Sequence, residues 1–81
     1  MISCGNYDYI EIVCMFKYPL ELTMKSGDVI CGQALDTTQN PSREECLKLR
    51  VDSNDVLVVL DAISTLKVTV ENPHFNQVSF D

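Results

Sequence analysis

The chain has 81 residues, enough for one domain, because two modules of about 40 residues each would bury too little to fold without staples. Its apolar share of 46%, with only three Gly and three Pro, excludes a disordered chain and predicts a folded globule. Twelve Asp plus Glu against six Lys plus Arg give a net charge of -6, with the acids spread from Asp8 to Asp81 and the bases scattered singly. That field repels phosphate, whereas a nucleic-acid-binding domain normally presents a basic patch.

Direct RNA or DNA binding is therefore not expected, and steering toward a basic protein surface is physically reasonable. Charge kept for solubility is the plainer reading of the same number. Cys4, Cys14, Cys31 and Cys46 would suggest disulfides in a secreted protein. The opening Met-Ile-Ser-Cys-Gly-Asn has no basic region followed by an apolar run, so a cytosolic protein with reduced thiols is expected. No stretch approaches the roughly 20 apolar residues of a membrane span. There is no Cys-x-x-Cys pair and His74 is the one histidine, so no zinc site and no cofactor are expected. The thiols read as small buried or half-buried hydrophobes; a redox pair of Cys4 and Cys14 and a metal-buffering thiol protein are minor alternatives.

In chain order, Tyr7 to Tyr18 places Ile10, Val13 and Cys14 on one face of a helix of about three turns. Asn6 would serve as N-cap and Asp8 would sit in the first turn, where an acid suits the dipole. Tyr9, Ile10, Ile12 and Val13 favour strands, so the local pattern leaves helix and strand nearly even. Pro19 ends the segment either way.

From Leu20 the period becomes two: Leu20, Leu22 and Met24 alternate with polar residues, and Lys25-Ser26-Gly27-Asp28 supplies a hairpin turn. The return strand runs to about Asp36, where Gly32 and Ala34 suggest a bend or a close backbone approach. Thr37 to Ser42 reads as a polar loop. Leu47, Leu49 and Val51 form the next strand and Asp52 to Asp55 a turn. Val56 to Leu60 is a continuous apolar run, as in a strand buried on both faces or one closing a barrel. Asp61-Ala62 breaks it, Leu66, Val68 and Val70 alternate again, and Val78 and Phe80 suit a last short strand. One helix followed by five or six short antiparallel strands is a mainly β, α+β chain that favours a small barrel.

Two resemblances follow. Leu20 to Gly32, apolar alternation, Lys-Ser-Gly turn, alternation and a strand glycine, is similar to the first half of the Sm motif, which implies an Sm-like small barrel with an N-terminal helix. The Asp-x-x-x-Asn and Arg-Gly pairs of Sm proteins have no match, which argues against an RNA-binding ring. The sharper resemblance is to the Rof (YaeO) family, carried by Cys4, Tyr7, Asp8, Ile10, Glu11, Ile12, Val13 and Cys14. It continues through Leu22 to Gly27, Cys46 to Val51, Asp61, Ile63, Ser64 and the Asn72-Pro73 tail, while Thr37 to Arg43 diverges.

That resemblance implies a single-domain, monomeric antiterminator that occupies the RNA primary sites on the N-terminal domains of the Rho hexamer. The family uses Tyr and acidic side chains against Rho, which here are Tyr7, Asp8 and Glu11; Asn6, Asn40 and Arg43 are secondary candidates. On a helix these three are spaced by three and four residues, and the reading places all of them opposite Ile10, Val13 and Cys14. Carboxylates would meet cations that hold phosphate, and Tyr would stack where a base does. Without the resemblance, Asp8 would read as a dipole partner and Tyr7 as a core-capping aromatic. Glu44, Glu45, Lys48, Arg50 and His74 read as solvated surface. No Ser/His/Asp or Cys/His set has recognisable spacing, so an enzyme is not expected, and the rival reading is an Sm-like module that binds RNA or oligomerises.

Overall fold

The computed structural model describes residues 4–80. Its elements in chain order are α1 (Cys4–Phe16), β1 (Pro19–Met24), β2 (Val29–Gln39), β3 (Glu45–Val51), β4 (Asn54–Val59), a 3-10 turn (Leu60–Ala62), β5 (Ile63–Val68) and β6 (Gln77–Ser79).

Helix wins over strand at the N-terminus because spacings of three and four bury Ile10 and Val13 completely and Cys14 in part, on the side that packs against β2. The helix begins earlier than expected. Asn6 therefore lies inside it rather than capping it, and Asp8 falls beyond the first turn, which carries no acid. The cysteine expectation for Cys4 concerns a thiol outside the described side chains. At the other end Lys17 takes φ 52, and its N–H bonds to Cys14 O at 3.3 Å while Tyr18 N–H bonds to Val13 O at 3.0 Å. These two bonds form a Schellman motif with lysine at the position usually given to glycine. Pro19 follows and opens β1.

The first hairpin turns where expected: Gly27 adopts φ 96, the left-handed value that glycine takes without penalty, and Leu22 faces Ile30 across the pair. β2 then runs on to Gln39, and Thr37, Thr38 and Gln39 pair with Leu47, Cys46 and Glu45. The loop expected from Thr37 shrinks to residues 40–44, because two β-branched threonines and a waiting partner strand outweigh the polar signal of the following Gln-Asn-Pro. A register shift between Ala34 and Asp36 leaves Leu35 as an extra residue, a bulge that bends the strand. At Gly32 a Cβ would stand 2.9 Å from both Arg50 O and Val51 Cγ2, the close approach expected there.

Asp52 and Ser53 take φ 50 and 71 between the paired Val51 and Asn54, a two-residue turn of the kind that matches strand twist. β4 corrects the reading of Val56 to Leu60. Val58 is buried, but Leu57 is 46% exposed, because successive side chains of β4 point to opposite faces and only one face meets the core. β5 buries Ile63, Leu66 and Val68, whereas Val70 lies beyond it and is exposed. Cys46 is buried and Cys14 half-buried; Cys31 departs from expectation and is exposed on β2, opposite Glu21.

Among the described residues the strands form one antiparallel sheet in the order β4-β3-β2-β1-β5-β6. The sheet does not close, so the chain is mainly β and α+β without the expected Sm-like barrel. β4 stays at one edge and the three-residue β6 at the other. The side chains of Leu20, Leu22, Leu47, Leu49, Ile63 and Leu66 meet inside the bend with Ile10 and Val13, so one helix caps a core that the sheet wraps without sealing.

Candidate functional site

An α-helix advances about 100° per residue, so the buried Ile10 and Val13 fix where every other side chain of α1 points. Asp8 falls on the far side and is exposed; Glu11 is exposed on the flank above β2. Tyr7 lies on that same flank, not opposite the core. It is half-buried and packs against the core cluster. Its position, between the core stripe and solvent, makes it part of the helix–sheet junction, and this corrects the expectation that all three candidates share the outward face.

Tyr7 is tied to the sheet. Its ring shares one groove with Thr37 and Glu45. The Thr37 hydroxyl pulls the phenol's pKa down, but partial burial and the neighbouring carboxylates of Glu45 and Glu11 together hold it above the ordinary 10.0.

Two shallow grooves run along the junction of α1 and β2, meeting at Thr37. One, of about 140 Å³, is lined by Tyr7, Thr37, Thr38, Gln39 and Glu45. The other, of about 290 Å³, is lined by Glu11, Cys14, Met15, Leu35, Asp36 and Thr37. Three carboxylates therefore border the junction. The Cys14 thiol at its floor is pushed up to about 11, first by burial and then by Asp36, with Lys17 opposing and Glu11 adding. A thiol so shielded is a poor nucleophile at neutral pH.

The secondary candidates divide. Asn6 lies in the second half of the first helical turn and is half-buried. Asn40 organises the β2–β3 loop: its Oδ1 accepts from Ser42 N–H and Glu44 N–H, each at 3.0 Å, and its Nδ2 donates to Glu44 Oε1 at 3.1 Å. Arg43, at φ 64, is exposed on that loop. Since Gln39 pairs with Glu45 at the loop's base, and Glu45 lines the same groove as Tyr7, the fold sets this loop beside the first half of α1. Lys48 and Arg50 both face Asp55, at 3.8 and 3.3 Å, on the bare side of the sheet.

Sequence reasoning missed Glu45 as Tyr7's partner and missed the apolar component of the surface. Met15 is 73% exposed and Phe16 49%. The Phe16 ring stacks on Tyr18 and on His74, with centroids 5.4 and 4.9 Å apart, so His74 is exposed yet engaged. A helical wheel would have shown Met15 beside Asp8 and Glu11; the signal was present. Among the described residues no three His, Cys, Asp or Glu side chains come together as a metal site, and no helix is long and apolar enough to cross a membrane.

Fold and surface together define a small acidic α+β domain whose helix shows carboxylates to solvent beside an open, bent sheet. The family model for modulators of Rho-dependent transcription termination, ROF, matches residues 1–80, and the chain belongs to that family. Among solved structures it is similar to one described as YaeO bound to magnesium from Vibrio cholerae O395, with 43% identity, a TM-score of 0.89, and coverage of 93% of this chain and 97% of that one. No curated protein matches the chain. The family is a regulatory modulator of termination rather than a class of enzyme.

Proposed function

We propose that this protein binds the N-terminal RNA-binding domain of the Rho hexamer, blocks transcript loading at the primary sites and so inhibits Rho-dependent termination. The observation that carries the reading is the exposed acidic face of α1, Asp8 and Glu11, in a member of a family that modulates Rho-dependent termination. Carboxylates presented from a rigid helix meet the cations of a surface built for phosphate, at about twice the strength of neutral hydrogen bonds.

Tyr7 packs against the core and lines the groove beside β2 and β3, while Asn6, Asn40 and Arg43 border the contact. The protein acts as a monomer in the cytoplasm and holds Rho rather than nucleic acid, in keeping with a net charge of -6. Transcription of a template carrying a Rho-dependent terminator tests this reading. Added protein should raise read-through in a dose-dependent way, with no effect at a terminator that does not need Rho. Unchanged termination at saturating protein would contradict it.

A further inference from the structure

We propose that Met15 is the apolar centre of the Rho-binding face, with Asp8 and Glu11 as its charged border; this rests on the reading that the acidic face of α1 binds Rho. Met15 is the most exposed large apolar side chain among the described residues, at 73%. It stands four residues after Glu11 and seven after Asp8 on α1, so the three lie in one row on the helix surface. Met15 also lines the 290 Å³ groove together with Glu11 and Asp36, so it borders a concavity flanked by carboxylates.

The arrangement fits one kind of partner. A surface that holds single-stranded RNA presents cations for the phosphates and apolar or aromatic faces for the bases. Asp8 and Glu11 answer the first requirement, and Met15 answers the second: a flexible, polarisable side chain that fills irregular apolar gaps and packs well against aromatic rings. Binding energy concentrates in apolar anchors that lose their water, while exposed charges at the border act mainly on the association rate. Phe16 is held by its stacking on Tyr18 and His74, which leaves Met15 as the side chain free to enter a partner's pocket.

The test compares displacement of a fluorescent pyrimidine-rich RNA from Rho by the wild-type chain, Met15→Ser and Met15→Lys, at low and high salt, with circular dichroism as the control for folding. Removal of so exposed a side chain leaves the fold intact. Met15→Ser should need about tenfold more protein to displace the RNA, by a factor that does not shrink with added salt, and Met15→Lys should lose more. Equal potency of both variants and the wild type would overturn the role of Met15 while leaving the acidic site standing. Failure of the wild type to displace RNA would overturn both.

Discussion

Tyr7, on α1, and Glu45, at the start of β3, line one groove, and the Glu45 carboxylate helps to raise the pKa of the Tyr7 phenol. With Thr37 on β2 they join the first half of the helix to the two strands that carry the β2–β3 loop. Tyr7→Phe keeps the ring's packing and removes the hydroxyl's polar interactions with Thr37 and Glu45, so it should lower stability by about 1 kcal/mol in a urea titration. Its effect on Rho should be smaller than that of losing Asp8 or Glu11. Binding abolished by Tyr7→Phe, with stability unchanged, would show that the hydroxyl meets the partner instead.

Charge reversal at Asp8 and Glu11 should abolish Rho binding without unfolding the protein, because both side chains are exposed and neither faces the core. The far-ultraviolet spectrum and the urea midpoint of the double lysine variant should match the wild type. Single neutral variants, Asp8→Asn and Glu11→Gln, should weaken binding more at low salt than at high salt, as border charges do.

Cys14 sets a direction for pH. Its folded pKa, about 11, lies above the ordinary 9.0, so the folded protein holds this proton more tightly than the unfolded chain. The stability it contributes is complete below about pH 9 and is lost as pH rises toward 11. Tyr7, also raised, acts in the same sense at higher pH. Thermal midpoints between pH 8 and 11 should fall, and Cys14→Ala should fall less steeply over the same interval.

Lys17 and Gly32 are backbone sites with opposite expectations. Lys17 closes α1 at φ 52, a conformation that costs a side-chain-bearing residue about 1 kcal/mol, so Lys17→Gly should raise stability by about that amount. Gly32→Ala would press a methyl group against Arg50 O and Val51 Cγ2. It should cost about 1 to 3 kcal/mol in the same urea titration.

Much of the fold can be read from residues whose meaning is local. Ile10, Val13 and Cys14 mark the helix by spacing, Lys25 to Asp28 and Asp52 to Asp55 mark turns by composition, and Gly32 marks a crowded backbone. What resisted reading depends on partners distant in sequence. The run Val56 to Leu60 carries no polar marker, so nothing within it shows that β4 is an edge with Leu57 outside. Whether the sheet closes depends on pairings between its first and last strands, which no short segment encodes.

The site divides in the same way. The exposure of Asp8 and Glu11 follows from their place relative to Ile10 and Val13. Tyr7 does not, because a residue on the flank of a helix turns inward or outward according to what lies beside it. Here that neighbour is Thr37, on a stretch of β2 that reads as loop until β3 pairs with it. Asn40 reads as a contact residue on a polar loop, and its side chain is spent on holding Ser42 and Glu44 in place.

The most direct measurement is competition on Rho itself: the purified hexamer carrying a fluorescent pyrimidine-rich RNA, titrated with this protein at moderate salt. RNA should be displaced as the protein saturates Rho, and the Asp8→Lys, Glu11→Lys double variant should fail to displace it. RNA that stays on Rho while the wild-type protein is present in excess would contradict the account at its centre.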